Sequence, residues 1–316
     1  MKRLLAAAAA LLLCLNILPT AHGMGTSAGS AILMEAESGR VLYEQDADRP
    51  RLIASVTKLM TALVALESGH PLEEKVVIRE EDTRTEGSSL YLRPGEELRL
   101  ETLLYGLLLQ SGNDAALAVA RHCGGTVENF VAQMNLRAAR LGMEHSRFAN
   151  PSGLNDENHY TTAHDMALIA RAAIQNPEFL TINGTRSYQL APTKRTPEGG
   201  YVANHHKMLN KNEAVYYPGA FAGKTGYTSL AGNTLVTCAR KNDMTLIAVV
   251  LNGHQSHYSD TKALFDFGFR NFQSLRTVDY ETRYKSLEND MTIAGMTSGD
   301  SISLELDRSG RVVIPR

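Results

Sequence analysis

Two β-rich segments lie far apart in this chain and enclose a long helix-rich segment. The first is a predicted hairpin over Ser30–Glu44, with apolar runs on both sides of the turn Ser38-Gly39. The second comprises three predicted strands, Phe221–Thr225, Thr234–Ala239 and Thr245–Leu251. Pairing the early hairpin with the late strands gives one antiparallel sheet. The predicted fold class is therefore α/β (α+β), with helices covering the sheet and a helical lobe inserted between its halves.

Helical periodicity fills the segment between the strands. The predicted helices are Ser55–Ser68, Thr102–Leu109, Asp114–Cys123, Val127–Leu141 and Thr162–Ile174, followed after the last strand by Thr261–Phe269. Glycines and an Asn-Pro pair end several of them. The helix that begins at Ser55 is apolar on most of its faces, which predicts that it is buried.

Both termini differ in composition from this central part. Lys2 and Arg3 precede the apolar stretch Leu4–Leu18, and the small residues of Ala21-His22-Gly23 follow. This order is typical of a secretory signal peptide over 1–23, cleaved near Gly23, and predicts an exported, extracytoplasmic protein. The apolar stretch is shorter than the ~20 residues of a spanning helix, although an uncleaved anchor is the alternative.

The remaining chain divides into a large domain over 24–275 and a short β-rich appendage over 276–316. The appendage contains the alternating segments Ser301–Leu306 and Val312–Ile314, with a turn over Asp307–Gly310. It is too short to form an independent sandwich. No basic amphipathic helix follows it, so we expect no C-terminal membrane anchor.

Charge and the cysteine and histidine content exclude some functions. The formal net charge is −2, without the basic patch of a nucleic-acid-binding protein. Beyond the leader, Cys123 and Cys238 could pair, although two buried thiols are the preferred interpretation. The pairs His205-His206 and His254/His257 lack an accompanying cysteine or carboxylate cluster, so we predict no metal ion there.

Three short motifs carry the chemistry, and the first is Ser55-Val56-Thr57-Lys58 at the start of the buried helix. A serine and a lysine three residues apart share one helix face, with Cβ atoms about 5–6 Å apart. A lysine that burial keeps neutral can accept the proton of a serine hydroxyl. The N-terminus of a helix also favours a developing oxyanion. The alternative is a serine cap beside a solvated lysine.

The other two motifs are Ser111-Gly112-Asn113, between two helices, and Lys224-Thr225-Gly226, within a predicted strand. Ser111 could relay a proton, and Asn113 could bond a substrate amide. The alternative is a helix–helix turn in which Asn113 or Asp114 caps the next helix, and this is compatible with both roles. A strand beside a cleft can pair with an extended peptide, and Gly226 permits close backbone approach.

In this order the three motifs resemble the signature of the penicillin-binding protein and serine β-lactamase superfamily. With Ser-Gly-Asn as its second motif, the chain resembles the low-molecular-mass D-alanyl-D-alanine carboxypeptidases within it. Flanking stretches are similar too: Ile53–Thr61, Gln110–Ala115, Asn150–Leu154 and Gly223–Thr228. The resemblance covers roughly residues 30 to 275.

The resemblance implies a serine peptidase that trims peptidoglycan stem peptides ending in D-Ala-D-Ala and binds β-lactams covalently. It implies Ser55 as nucleophile, Lys58 as general base, and Ser111 and Asn113 as aids to proton transfer and substrate placement. Lys224 and Thr225 would bind the substrate carboxylate, with Gly226 beside them. The backbone N–H groups of Ser55 and Tyr227 would form the oxyanion hole.

The chain departs from the family pattern at one binding position, and several alternative functions stay open. Relatives often carry an arginine after the last long strand, whereas this chain has His254-Gln255-Ser256-His257-Tyr258, of which His257 could substitute. The same residues could serve an endopeptidase that cuts cross-links. A β-lactamase is less favoured, because a Glu-x-x-Leu-Asn sequence is missing from the chain. A non-enzymatic wall-binding protein is disfavoured by the intact motifs.

Overall fold

The computed structural model describes residues 25–194, 196–279 and 310–316. The strands are β1 Ser30–Glu35, β2 Val41–Gln45, β3 Lys75–Val77, β4 Glu97–Arg99, β5 Ser187–Leu190, β6 Gly200–Ala203, β7 Ala220–Thr228, β8 Gly232–Lys241, β9 Met244–Gly253, β10 Phe272–Arg276 and β11 Arg311–Pro315. The α-helices are α1 Lys58–Leu66, α2 Glu80–Thr83, α3 Leu100–Tyr105, α4 Asn113–Gly124, α5 Val127–Arg140, α6 Ala163–Ala173, α7 Pro177–Asn183 and α8 His257–Asn271.

The central sheet has five strands in the order β2-β1-β9-β8-β7, and every neighbouring pair is antiparallel. The early hairpin joins the late strands through β1 and β9, where Ser30 lies opposite Leu251 and Glu35 lies opposite Leu246. The predicted fold class, one antiparallel sheet built from both β-rich segments with an inserted helical lobe, is confirmed.

Both faces of this sheet are covered, as the sequence of β9 requires. Ile247, Val249 and Leu251 belong to the core shared with the helical lobe. Their neighbours Leu246, Ala248 and Val250 belong to a second core beneath α8. Side chains alternate between faces along a strand, so a strand buried on both sides needs a continuous apolar run.

Helix α1 lies in the middle of the larger core, where every residue from Lys58 to Ala65 is buried. The helix was predicted to begin at Ser55, but residues Ala54–Thr57 form a 3₁₀ turn that leads into it. The helix predicted over Thr102–Leu109 instead begins at Leu100 and passes into a π-helical turn over Gly106–Gln110. The first departure contains Ser55, and the second ends directly before Ser111.

The two-stranded sheets β3–β4 and β5–β6 and the helices α2 and α7 were not predicted from the sequence. Their strands have only three or four residues, so the alternation that identifies a strand is too short to recognise.

The predicted appendage is described only in part. Val312–Ile314 lie in β11, which pairs with β10, and the buried Val313 packs in the core beneath α8. The segment Ser301–Leu306 lies outside the described residues. The division of the chain at residues 275 and 276 stays a prediction, and that boundary falls within β10.

Cys123 on α4 and Cys238 on β8 are free, buried thiols, and burial raises the pKa of Cys123 to about 11 and that of Cys238 to about 12. Among the described residues, no helix combines the length and the hydropathy that crossing a membrane requires.

Close packing of α8 on the sheet yields a stability prediction. A Cβ atom at Gly268 would lie 2.6 Å from Leu246 Cδ1 and 2.7 Å from Leu33 Cδ2. We expect Gly268→Val to lower the free energy of unfolding by about 1–3 kcal/mol through overpacking, measured by urea unfolding. Ala263→Val introduces the same residue at an exposed position of α8 and should change it by less than about 0.5 kcal/mol. Equal effects of the two variants would contradict this account.

Candidate active site

Ser55 lies in the 3₁₀ turn that leads into α1, at the end of the helix that faces a surface cleft. The preceding residue, Ala54, has a φ of 50°, which is rare for a residue with a side chain. Thr57 Oγ1 donates to the Ala54 carbonyl oxygen at 2.8 Å, and His159 Nε2 lies 2.8 Å from the same hydroxyl. These contacts hold the turn in an unfavourable conformation that presents Ser55.

Lys58 lies one helical turn further on and is completely buried. Its Nζ lies 3.0 Å from Ser55 Oγ, 2.7 Å from Asn113 Oδ1 and 2.6 Å from the Ser152 carbonyl oxygen. The amine therefore has three oxygen partners. The spacing predicted between Ser55 and Lys58 brings their reactive atoms into hydrogen-bond distance.

Asn113 is the first residue of α4, and two hydrogen bonds fix the orientation of its side-chain amide. Its Nδ2 donates to the Glu86 carbonyl oxygen at 2.6 Å, which leaves Oδ1 to accept from Lys58. Ser111 precedes it in a left-handed conformation, with φ 64° and ψ 29°, and its side chain is buried. The π-helical turn before Ser111 and the helix start after Gly112 together place the motif at the break between two helices.

Asp114 has a structural role that the sequence analysis anticipated only as capping. Its carboxylate accepts from Ser89 Oγ at 2.6 Å and from the backbone N–H groups of Leu90 and Leu92 at 3.0 and 3.1 Å. The carboxylate also accepts from its neighbour Ala115 N at 2.9 Å. Asp114 therefore anchors the loop that precedes β4 to the start of α4, close to Asn113.

Strand β7 carries the third motif and packs against the Ser55 turn. A Cβ atom at Gly226 would lie 2.8 Å from Ser55 N and 3.1 Å from Val56 N. Only glycine allows this approach without displacing one of the two backbones. Lys224 is buried, and its Nζ donates to the Thr225 carbonyl oxygen at 2.9 Å.

Burial changes the charge of both lysines. It lowers the pKa of Lys58 well below its usual range, and the charge of Lys224 lowers it further, while Asp114 acts in the opposite direction. Burial alone lowers the pKa of Lys224 to about 7. Both amines therefore lose a proton more readily than a solvated lysine does.

A cleft of about 290 Å³ opens over Ser55. It is lined by Ser55, Glu86, Gly87, Ser88, Asn113, Ser152, Gly153, Leu154, Tyr227 and Thr228. Tyr227 is 67% exposed and stands at its rim. The cleft therefore joins residues of all three motifs or their immediate neighbours around one serine hydroxyl.

The sequence analysis missed the contribution of the loop Asn150–Leu154, which it noted only as a family-like stretch. Asn150 Oδ1 accepts from Gly153 N at 2.8 Å and from Ser152 Oγ at 3.0 Å, which closes a tight turn. Gly153 has a φ of 90°, and a Cβ atom there would lie 2.0 Å from the Ala54 carbonyl oxygen. The turn thereby presses the Ser152 carbonyl oxygen against Lys58.

The histidines near the end of β9 occupy different positions. His257 is the first residue of α8, and its ring lies 4.2 Å from that of Tyr258. His254, Gln255 and Ser256 instead line a separate cleft of about 700 Å³ that shares Tyr227 with the Ser55 cleft. Of the two histidines, His254 is therefore the one that lines this cleft.

A serine hydroxyl bonded to a buried, deprotonatable lysine at the start of a helix defines a serine acyl-transfer site. Residues 19–255 match the family model described as D-alanyl-D-alanine carboxypeptidase, so the chain belongs to this family. The resemblance inferred from the motifs is confirmed.

Individual relatives agree with this assignment. The chain is 33% identical over 289 residues to the D-alanyl-D-alanine carboxypeptidase DacF of Bacillus subtilis, covering 87% of this chain and 72% of the relative. It is 30% identical over 248 residues to a D-alanyl-D-alanine endopeptidase of Escherichia coli, covering 78% of each. A crystal structure of a D-alanyl-D-alanine carboxypeptidase from Mycobacterium tuberculosis superposes with a TM-score of 0.71 at 35% identity, covering 78% of this chain and 92% of that one.

The depressed pKa of Lys224 predicts how stability depends on pH. Between about pH 7 and its ordinary pKa of 10.5, the unfolded chain binds a proton that the folded chain has lost, so stability rises with pH. Urea unfolding should therefore give a free energy of unfolding that rises with pH more steeply for wild type than for Lys224→Met. The difference should grow by up to about 1.4 kcal/mol for each pH unit above pH 7. Lys262→Met at an exposed position should show no such trend. A pH-independent difference for Lys224→Met would mean that Lys224 stays protonated.

Proposed function

We propose that this chain removes the terminal D-alanine from peptidoglycan stem peptides ending in D-Ala-D-Ala, through an acyl-enzyme on Ser55. The observation that carries the proposal is the set of partners around Lys58 Nζ. A neutral amine has two N–H groups and one lone pair. The Asn113 Oδ1 and Ser152 carbonyl oxygens can only accept, so they take the two N–H groups, and the lone pair faces Ser55 Oγ.

In the first step, Lys58 takes the proton of Ser55 Oγ as the oxygen attacks the carbonyl carbon of the penultimate D-alanine. The resulting oxyanion lies near the start of α1, where the backbone N–H groups of Ser55 and Tyr227 are proposed to stabilise it. The contact of Gly226 with Ser55 N supports this arrangement, because it keeps β7 next to that N–H group.

Collapse of this intermediate breaks the peptide bond and releases D-alanine, whose nitrogen takes a proton that originates from Lys58. Ser111 is proposed to relay that proton, while Asn113 holds both Lys58 and the substrate amide. Water then attacks the ester on Ser55, Lys58 accepts a proton from that water, and the shortened peptide leaves with Ser55 Oγ reprotonated.

Lys224 and Thr225 are proposed to bind the substrate's terminal carboxylate, with the peptide extended beside β7. An ammonium group with a pKa of about 7 is partly neutral in the empty site, and an incoming carboxylate favours its charged form. The chain has no arginine over His254–Tyr258. We propose that His254, which lines the neighbouring cleft, rather than His257 supplements this binding.

Export is part of the proposal, because peptidoglycan lies outside the cytoplasm. The charged, apolar and small residues of 1–23 support a cleaved leader. An endopeptidase activity on cross-linked muropeptides is the second candidate, and the 30% identity to a protein named as an endopeptidase favours keeping it.

Acylation of Ser55 is tested by mass. We expect the exported protein to gain one adduct per chain with a β-lactam, because the lactam mimics the D-Ala-D-Ala amide, and to shorten a pentapeptide stem by one alanine. Ser55→Ala should lose both, whereas Ser88→Ala, which alters another serine of the cleft, should keep both.

The same spectra distinguish the alternatives. An adduct on Ser55→Ala would move the nucleophile elsewhere, and rapid turnover of the lactam would indicate a β-lactamase. Cleavage of cross-linked dimers without loss of alanine from monomers would indicate an endopeptidase. The mass of the exported chain also reports whether it begins near Met24.

The roles of the two lysines are tested by conservative substitution. Arginine stays protonated, with a pKa above ~12, so Lys58→Arg should lower the rate of Ser55 acylation about as much as Lys58→Ala, by ~10²–10⁴-fold. Lys224→Arg keeps a cation and should retain clearly more activity than Lys224→Ala. Acylation rates of the four variants decide the matter. A nearly normal rate for Lys58→Arg together with an inactive Lys224→Arg would reverse the assignment.

A further inference from the structure

In the described part of the chain, three metal-ligating side chains converge at the end of α1 opposite to Ser55. His70 and Glu74 lie in the connector between α1 and β3, and His122 lies in the last turn of α4. The nine residues of α1 rise by about 13 Å, which separates this cluster from the catalytic cleft. The proposed reaction uses none of the three.

The cluster has nearly the dimensions of a zinc site. His70 Nδ1 lies 2.8 Å from Glu74 Oε2, His122 Nε2 lies 3.5 Å from Glu74 Oε1, and all three ligand atoms lie within 4.8 Å of one another. Zinc bonds of about 2.0–2.1 Å in a tetrahedral arrangement place ligand atoms roughly 3.3 Å apart. The two contacts involve different oxygens of Glu74, so the side chains must adjust to bring one ligand atom from each residue to that spacing.

One ring nitrogen of His122 is buried without a hydrogen-bond partner. Its side chain is 15% exposed, but Nε2 is shielded from solvent, and the 3.5 Å contact with Glu74 does not meet hydrogen-bond geometry. A buried polar atom without a partner is unfavourable and uncommon. A metal ion between His122 and Glu74 would give Nε2 a partner.

The neighbouring thiol does not join the site. Cys123 follows His122, but its Sγ is not among the ligand atoms that lie within 4.8 Å of one another. Three protein ligands remain, two imidazoles and one carboxylate, with room for water as the fourth. This donor set suits Zn²⁺ better than Ca²⁺ or Mg²⁺, which prefer oxygen ligands.

We propose that His70, Glu74 and His122 bind one Zn²⁺ ion that joins the α1–β3 connector to α4. The sequence analysis predicted no metal site, because it considered only the pairs His205-His206 and His254/His257. His206 Nε2 instead lies 3.0 Å from both the Val236 carbonyl oxygen and Thr237 Oγ1, as a structural core residue. The proposed ion would stabilise the helical lobe without taking part in acyl transfer.

The test is calorimetric titration of the exported, chelator-treated protein with Zn²⁺. Wild type should bind one equivalent, and the melting temperature should rise with added Zn²⁺. His70→Asn and His122→Asn should each weaken the affinity at least tenfold and remove the thermal shift. His164→Asn is the matched control, because His164 is also partly exposed and lies 3.8 Å from Asp48 and 3.7 Å from Asp165 without a second imidazole. It should bind Zn²⁺ as wild type does.

Further measurements separate this proposal from the catalytic one. His70→Asn and wild type should release D-alanine at rates that agree within about twofold. Co²⁺ in place of Zn²⁺ should give the strong visible absorption of a tetrahedral site only while both histidines are present. If His122→Asn does not fold, the half-exposed His70 still provides the test. Absence of Zn²⁺ binding to wild type, or equal affinity in the histidine variants, would overturn the proposal, and neither result affects Ser55.

Discussion

The enclosure of one lysine amine between two carbonyl oxygens and a serine hydroxyl is the interaction on which the rest of the site depends. Lys58 belongs to a helix whose residues are buried from Lys58 to Ala65, so its amine cannot reach water and must find partners inside the protein. Asn113 and Ser152 provide oxygens that only accept, and they fix the two N–H groups of the neutral amine. In the proposed reaction the hydroxyl of Ser55 then faces the lone pair, and the buried helix serves to activate the serine.

Those two oxygens come from parts of the chain that need their own support. Asn113 keeps its orientation because Nδ2 donates to the Glu86 carbonyl oxygen, and Asp114 anchors the adjacent loop through Leu90 and Leu92. The Ser152 carbonyl oxygen is held by the turn that Asn150 closes. Three segments that are distant in sequence thus converge on one amine, and the two-sided burial of the sheet supplies the rigid base against which they pack.

Residue types and spacing were enough to predict the sheet, the buried helix and the contact between Ser55 and Lys58. Ser55 and Lys58 are related by a helical turn, and the apolar run around them indicates burial, so their contact follows from local geometry. The carbonyl oxygens of Ser152 and Glu86 could not be predicted in the same way, because every residue has a backbone carbonyl and only the fold selects one. The left-handed Ser111 and the close approach of Gly226 to Ser55 N likewise depend on how separate elements meet. The His70, Glu74 and His122 cluster was missed because α4 brings His122 to the connector from far along the chain.

The proposed reaction requires opposite charge states of the two buried lysines. Both lose solvation, and Lys58 also experiences the charge of Lys224, so the pKa of each amine is lowered. In the proposed reaction Lys58 must be neutral and Lys224 must be charged. Protonation of Lys58 therefore limits activity at low pH, and deprotonation of Lys224, with a pKa of about 7 in the empty site, limits carboxylate binding at high pH. A bound carboxylate shifts the second limit upward, because it stabilises the Lys224 ammonium. The proposed reaction therefore has a pH range in which Lys58 is a base while Lys224 remains a cation.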